Sequence, residues 1–320
     1  MEEFKRGTVK RHLLKSTWLR ESVAPRVHRA REAARLLAQR MARRQGYELL
    51  LRHYYNPLPD LDRLALASWD RPSEMPAVDL RVKSAVDFLR DDLAPYFEEF
   101  RPPISQISDG EFFISNRFYE SVDAESLYAI VRNTKPNLLV ELGSGASSHV
   151  IDAARRVNAS EGHPFVHEIF DPFPFSANNF GPVPTARVES LRTEDIDPKQ
   201  FDRLTEGDIL FVDTTHTVKT GGDVTHIFLD ILPRLAPGVL VHIHDIFLPY
   251  EYPSEWIFNL RRLWAEQYLL QAFLAFNDAF EVIFPAQAVA RSAPEVVAAL
   301  LPSFGPEVSP GPGAFWMRRR

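Results

Sequence analysis

Acidic side chains stand at the ends of several short apolar runs, each of which predicts a buried strand. Four of these runs end in a carboxylate, at Glu141, Asp171, Asp213 and Asp245. The carboxyl ends of parallel strands meet at one edge of an α/β sheet, where ligands bind. Carboxylates gathered there would repel one another unless a cation, hydroxyl donors or shifted pKa values compensated them. The spacing therefore predicts one acidic ligand site.

The first of these runs leads into a turn of small residues. Residues 138–142 predict the strand, and Gly143, Ser144, Gly145 and Ser147 lie in the turn before a helix. Glycine lets the backbone bend sharply and approach a ligand closely, and a helix N-terminus offers N–H groups. Glu141 places a carboxylate beside this turn. Such a site suits a ligand with an ammonium group and ribose hydroxyls, although a turn of this kind also occurs without a ligand.

A nucleotide-like ligand is also indicated by the position of Asp171. This residue follows Gly145 by 26 positions, roughly where an acid grips ribose hydroxyls in nucleotide-binding units. The aromatic and proline residues 172–175 could wall an adenine ring. A nicotinamide fingerprint would place a third glycine at position 148, which holds Ser148. A nicotinamide-dependent oxidoreductase is therefore a disfavoured alternative.

Histidines near two of the strand ends are candidates for acid–base chemistry. His216 follows Asp213 by three residues in a polar loop, and His244 directly precedes Asp245. Imidazole titrates near neutral pH and therefore suits a general base. Strand alternation puts His242 on the same face as His244, but deeper in the sheet, where a packed histidine is expected. The candidate catalytic residues are therefore His216, His244 and Asp245.

The remaining pattern predicts the elements that position these residues. From about Asp123, which could cap a helix, strands alternate with helices, and this indicates a parallel α/β sheet. A single long helix is predicted over residues 254–276. Strands are predicted over residues 138–142, 165–170, 186–191, 208–212, 239–244, 280–284 and 314–318.

Residues 1–118 predict a mainly helical extension, and residues 119–320 predict the sheet domain. Residues 1–45 hold 13 Lys and Arg against 4 Asp and Glu, whereas the rest of the chain holds 24 against 39. The basic segment could touch an anionic polymer or a membrane surface. The favoured interpretation is that it docks on its own acidic domain or forms a homo-oligomer contact. No specific nucleic-acid partner is expected, because no nucleic-acid-binding motif is present.

Composition excludes several other classes of protein. The chain has no cysteine, so disulfides and thiolate metal sites are excluded, which fits a cytoplasmic location. No apolar run is long enough to span a bilayer, and the N-terminus lacks the apolar segment of a secretory signal. An apolar content of 45% over 320 residues is enough for a sizeable core.

The motif Glu141-Leu-Gly143-Ser-Gly145 resembles the glycine motif of the class I S-adenosylmethionine-dependent methyltransferases. Residues 207–224 and 242–253 resemble longer signatures of a bacterial family known as methyltransferase domain 24, and the resemblance covers about residues 120–290. It implies a Rossmann-like α/β sheet with strand order 3-2-1-4-5-7-6, in which the last strand is antiparallel.

The resemblance also implies methyl transfer from S-adenosylmethionine, with a hydroxyl of a small molecule or saccharide as the expected acceptor. It implies a cofactor-binding set of Glu141, Gly143, Ser144, Gly145, Ser147, Asp171 and Asp213. Similarity to metal-dependent O-methyltransferases implies that Asp213 and Asp245 hold Mg²⁺ or another divalent cation and that His216 is the base. Ile246 stands where those enzymes often have Asn or Asp. A non-catalytic binding module on the same fold is a further alternative.

Overall fold

The apolar runs form one sheet in a computed structural model, which describes residues 24–51, 53–64, 69–108, 110–175, 180–305 and 311–320. Its strands are β1 (Leu138–Leu142), β2 (Val166–Phe170), β3 (Arg187–Glu189), β4 (Ile209–Val212), β5 (Leu240–Ile243), β6 (Phe280–Pro285) and β7 (Phe315–Arg319). The spatial order is β3-β2-β1-β4-β5-β7-β6. Among these seven strands, β7 pairs antiparallel with both β5 and β6, and the other neighbouring strands pair in parallel. The predicted Rossmann-like order is confirmed.

The described helical elements flank this sheet or precede it. The α-helices are α1 (Ala24–Arg44), α2 (Val82–Phe88), α3 (Ala94–Phe97), α4 (Asp123–Thr134), α5 (Ala146–Ser160), α6 (Asp223–His226), α7 (Ser254–Phe258), α8 (Glu266–Leu274), α9 (Ala286–Ser292) and α10 (Pro294–Leu300). Two π-helical turns, Leu89–Leu93 and Ile227–Ile231, continue α2 and α6. Single turns of 3₁₀ helix occur at Leu61–Arg63, Thr193–Asp195 and Leu232–Arg234, and a longer one at Pro198–Arg203.

The chain divides into two compact units after Asp60. In the first unit, α1 confirms that the N-terminal region is helical, and it ends before Gly46, whose φ is +81°. Residues 1–23 of the predicted basic segment lie outside the described residues. The predicted boundary between residues 118 and 119 falls inside the second unit. Within the described ranges, no helix combines the length and apolarity needed to cross a membrane.

Alternation along the strands divides the core of the second unit between the two faces of the sheet. Leu139 of β1 packs in one buried cluster with Leu127 of α4 and Val150 of α5. The next residue, Val140, packs in a second cluster with Val224 of α6. Because both faces are covered by helices, the central strands β1, β4 and β5 lie in the interior, whereas the edge strand β3 is exposed.

The predicted single helix over residues 254–276 is wrong, because two helices, α7 and α8, occupy this region. Between them Arg261 adopts a φ of +57°, which is incompatible with a right-handed helix. The carbonyl oxygen of His216 accepts the backbone N–H groups of Ala265 and Glu266 at 3.0 and 3.3 Å. The break therefore places the start of α8 against the loop after β4.

The predicted cap role of Asp123 is also wrong. The cap position of α4 belongs to Val122, and no side chain caps this helix end. The Asp123 carboxylate instead accepts the backbone N–H groups of Gly313 and Ala314, at 2.8 and 2.9 Å. It thereby fastens the start of α4 to the segment that enters β7.

We predict that Asp208→Ala lowers the free energy of unfolding by about 2–4 kcal/mol, measured by urea denaturation. The buried Asp208 carboxylate accepts the N–H groups of Asn137, Leu138 and Thr205 at 2.9–3.0 Å, which ties the start of β1 to that of β4. Removal leaves these donors without their acceptor. Asp278→Ala, at an exposed position, is the control and should change stability by less than about 0.5 kcal/mol. Equal unfolding midpoints for the two variants would contradict this role.

Candidate functional site

The glycine turn after β1 lies directly against the end of β4. Gly143 has a φ of +94°, and a Cβ at this position would lie 2.0 Å from the carbonyl oxygen of Asp213. The backbone N–H of Asp213 donates to the carbonyl of Leu142 at 2.9 Å, so the two strand ends stay in register. Glycine is therefore required here by the packing of the chain itself, whether or not a ligand binds.

Glu141 is fully buried beneath this turn, where donors of the chain itself surround it. Its Oε1 accepts the hydroxyls of Ser147 and Ser148 at 2.7 and 3.0 Å. Its Oε2 lies 2.7 Å from Nε2 of His167. Because these contacts engage both oxygens, Glu141 and Ser147 support the shape of the turn from below.

Ser148 occupies the position at which a nicotinamide fingerprint has its third glycine, and its side chain has a structural role there. Its hydroxyl oxygen accepts the backbone N–H of Gly145 at 3.1 Å while its proton goes to Glu141. This hydrogen bond from the Gly145 N–H to the Ser148 side chain caps the N-terminus of α5. Ser148 was predicted to lie in the turn, at the position of the third glycine, but neither its contact with Glu141 nor the contribution of His167 was predicted.

Ser144 and Asp171 meet on the outer side of the turn. The Ser144 hydroxyl donates to Oδ2 of Asp171 at 2.6 Å and accepts the N–H of Phe175 at 3.0 Å. Oδ1 of Asp171 accepts the N–H of Phe173 at 2.7 Å. Asp171 is only half-buried, and a carboxylate retains acceptor sites beyond two hydrogen bonds. This pair can therefore accept hydroxyl donors from a ligand above the turn.

An acid–histidine cluster, formed by Asp213, His216 and Asp245, occupies the ends of β4 and β5. Nε2 of His216 lies 3.2 Å from Oδ1 of Asp213 and 3.4 Å from Oδ2 of Asp245. His216 and Asp245 both adopt positive φ angles, +56° and +57°, which are strained for residues other than glycine. The fold thus turns these two side chains toward Asp213 at a local conformational cost.

Glu266, which sequence analysis missed, fixes the other side of the His216 ring. Its Oε2 lies 2.9 Å from Nδ1 of His216, and both residues are buried. Glu266 begins α8, directly after the helix break. A carboxylate behind a histidine holds the proton on one ring nitrogen and leaves the other nitrogen for a cation. The only feature of the sequence that could have indicated Glu266 is its position as an acidic residue at the start of a mostly apolar helical segment.

His244 is the second histidine beside the cluster. Its Nδ1 lies 3.5 Å from Asp213 and 3.7 Å from Asp245, and its Nε2 lies 3.2 Å from Oδ2 of Asp123. His242 is separate from the cluster: it stacks on Phe211 at 4.2 Å and is fully buried. Burial holds the pKa of His242 well below its ordinary value, as expected for a packed neutral histidine.

Without a bound cation, electrostatics oppose the predicted base role of His216. Burial opposes a charge on its imidazole, but hydrogen bonds to Asp213 and Glu266, together with the charge of Asp245, raise the pKa of His216 to about 10. An imidazole with this pKa is protonated at neutral pH and cannot accept a proton. A divalent cation would neutralise the same carboxylates and take the Nε2 lone pair instead.

The donor set of the cluster fits a small divalent cation. Asp213, His216 and Asp245 can each offer an atom within 4.8 Å of the others. A cation with bonds of about 2.1 Å needs neighbouring ligand atoms about 3 Å apart, close to the observed contacts of 3.2 and 3.4 Å. Carboxylate and imidazole donors suit Mg²⁺, Mn²⁺, Fe²⁺ or Zn²⁺. Ile246 packs in the core, and His216 is the third potential donor of the cluster.

An aromatic surface borders the same cluster. The ring of Trp264 lies 4.4 Å from that of His216, centroid to centroid. The guanidinium group of Arg262 packs over Trp264 and Trp256, at 5.2 and 4.8 Å from the ring centroids. Both tryptophans are half-buried and pack around the small apolar cluster of α7. The site thus has carboxylates on one side and an indole ring on another.

We predict that Gly143→Ala destabilises the protein far more than Gly162→Ala, by about 3 kcal/mol or more in the difference of unfolding free energies. Both glycines have positive φ angles, +94° and +87°, but a Cβ at Gly162 meets no atom within 4 Å. Strain at positive φ costs each variant about 1 kcal/mol, whereas only Gly143→Ala forces a Cβ into the Asp213 carbonyl. Thermal and urea denaturation of both variants measure this difference, and equal losses would contradict the close approach.

Residues 140–246 match the model of a family described as a methyltransferase domain. No curated protein matches the sequence. A solved structure from Thermobifida fusca YX, provisionally assigned as a methyltransferase, is 16% identical, with 78% of this chain and 96% of that chain covered and a TM-score of 0.35. An Anaeromyxobacter dehalogenans structure, provisionally assigned as a type II methyltransferase, is 12% identical, with 68% and 94% covered and a TM-score of 0.26. The family match agrees with the resemblance in the sequence, and it covers residues 140–246, about a third of the chain.

Proposed function

We propose that the protein transfers a methyl group from S-adenosylmethionine to a hydroxyl of a small molecule or saccharide. The observation that carries this proposal is the acid–histidine cluster of Asp213, His216 and Asp245 beside the glycine turn of a methyltransferase domain. In a sheet of this topology, ligands bind outside the carboxyl ends of the strands, where both features lie. The cofactor and the acceptor would therefore meet between them.

The cofactor would lie along the turn between β1 and α5. The half-buried carboxylate of Asp171, with Ser144 beside it, suits the two ribose hydroxyls. Gly143 and Gly145 leave the turn without side chains, so that the methionine part can approach the backbone. Glu141 and Ser147 would act beneath the ligand as positioning residues, since their hydrogen bonds are made to each other.

The acceptor hydroxyl would be activated at the cluster. A bound divalent cation would lower the pKa of that hydroxyl and orient its oxygen. Asp213, Asp245 and Nε2 of His216 would hold the cation, while Glu266 retains the proton on Nδ1 of His216. His244 presents a second nitrogen to the same carboxylates, with Asp123 behind it. The hydroxyl would lose its proton to solvent, its oxygen would form the new bond to the methyl carbon, and S-adenosylhomocysteine would leave with the electron pair of the broken sulfur–carbon bond. The rate would depend mainly on the alignment of the two substrates.

The position of Trp264 favours a methyl acceptor that has a flat apolar face. Its half-buried indole lies against the His216 ring and is therefore within reach of a molecule bound at the cluster. Indole rings pack well against the apolar face of a sugar or against another aromatic ring. This arrangement is compatible with a saccharide hydroxyl or with a phenolic hydroxyl as the methyl acceptor.

We expect S-adenosylhomocysteine to bind the protein with micromolar affinity, about −8 kcal/mol by calorimetry. Asp171→Ala should weaken this binding at least tenfold, because the ribose hydroxyls lose their acceptor. Asp278→Ala, an exposed aspartate before β6, is the matched control and should leave it unchanged. NADH should not bind. Tight NADH binding without S-adenosylhomocysteine binding would instead support the oxidoreductase alternative.

A second experiment separates the ligand and base roles of His216. After treatment with a chelator, Mg²⁺ or Mn²⁺ should raise the melting temperature by several degrees, since a cation that binds only the folded state stabilises it. We expect His216→Ala and Asp245→Asn each to lower the metal affinity at least tenfold and therefore to reduce this shift. Both variants should still bind S-adenosylhomocysteine. His226→Ala, which removes a histidine paired with Asp230 on α6, is the control.

A base role predicts a different outcome. His216→Ala would then leave metal affinity intact and lower turnover about 10²–10⁴-fold. If the chelated protein shows no metal-dependent shift and keeps full turnover, the metal part of the proposal fails. The calorimetric test of the methyl donor remains independent of that result.

A further inference from the structure

A cavity of about 280 Å³ lies in the second unit, and none of its lining residues belongs to the acid–histidine cluster. Its wall combines the end of α3, the segment after it, the first turn of α4 and the segment that follows α10. Most of the lining is apolar and is contributed by Phe97, Phe100, Ile104, Ile114, Leu300 and Leu301. At about 30 Å³ for each water-sized group, the cavity has room for about nine such groups.

One carboxylate interrupts this apolar lining. Glu125 lines the cavity, and only 4% of its surface is exposed. Its Oε1 accepts the hydroxyl of Ser303, which in turn lies 3.1 Å from the hydroxyl of Ser121. Its Oε2 is buried and forms no hydrogen bond within the described part of the chain. A buried acceptor left in this state costs about 1–3 kcal/mol, and more when it is charged.

No described basic side chain compensates the charge of Glu125. Arg101 also lines the cavity, but its guanidinium group is bonded to Glu98 at 2.5 Å and is largely exposed. Burial raises the pKa of Glu125, and hydrogen bonds from Ser303, from its own backbone N–H and from Ser121 oppose this rise only in part. The charge of Asp123, in the same helical turn, is negative and adds to the rise. The cavity therefore lacks a positive group at its polar end.

We propose that this cavity binds a small organic cation, with an ammonium group at Oε2 of Glu125 and an apolar body among the phenylalanine and leucine side chains. An ammonium group would supply both the missing donor and the missing charge. The rings of Phe97 and Phe100 can add a favourable contact with a cation. The small volume limits the ligand to about nine or ten non-hydrogen atoms. Binding there requires neither a methyl donor nor a metal in the acid–histidine cluster.

Calorimetry of the full chain with 2-phenylethylammonium chloride tests this site, and 2-phenylethanol serves as the uncharged probe of the same shape. We expect the ammonium compound to bind the wild-type protein at least tenfold more tightly than the alcohol. Glu125→Gln keeps the size of the side chain and should abolish this preference. The proposal is overturned if the ammonium compound fails to bind the wild-type protein or binds Glu125→Gln equally well.

A second pair of variants keeps the test valid if Glu125→Gln does not fold. Ile104 lines the cavity yet is 54% exposed, so Ile104→Trp should fold and fill the cavity from its outer side. Ile107 is 79% exposed and does not line the cavity, so Ile107→Trp is the matched control. We expect at least a tenfold loss of ammonium binding in Ile104→Trp and no loss in Ile107→Trp. Equal binding to both variants would place the ligand elsewhere and overturn the site.

Discussion

Between the turn after β1 and the end of β4 there is no room for a side chain. The Cβ of any residue at position 143 would fall 2.0 Å from the Asp213 carbonyl. This close approach places the glycine turn and the acid–histidine cluster next to each other at one edge of the sheet. Ser144 and Asp171 line the turn side, and His216 and Asp245 complete the cluster side. Every role assigned to the site depends on these strand ends meeting without an intervening side chain.

The balance of charge is the second constraint on the acid–histidine cluster. Asp213, Asp245 and Glu266 surround His216, and Asp123 lies behind His244, so carboxylates outnumber the imidazoles that face them. Taking charged groups out of water is costly unless they are paired. Two backbone N–H groups compensate Asp123, but the remaining acids depend on protons carried by histidine or on a cation. This excess of negative charge is the physical reason for proposing that His216 is a metal ligand.

The sheet and the acids at its strand ends could be predicted because their signals are local. Asp213 and Asp245 each follow a continuous apolar run, and parallel strands bring such ends together. Glu266 could not be found in this way, because its contact with His216 spans 50 residues and requires the break between α7 and α8. Likewise, His167 reaches Glu141 only after β2 has paired with β1. Contacts between residues that are distant in the sequence produce no periodic pattern in it, so such partners cannot be predicted from that pattern.

The first turn of α4 supplies carboxylates to two different places. Asp123 points to His244 and to the entry of β7, whereas Glu125, two residues later, lines the apolar cavity. Acidic residues are favoured in the first turn of a helix, because the unpaired N–H groups there carry partial positive charge. That field lowers the cost of burying both carboxylates so close together. A movement of this helical turn would therefore alter the cavity and the support of His244 at the same time.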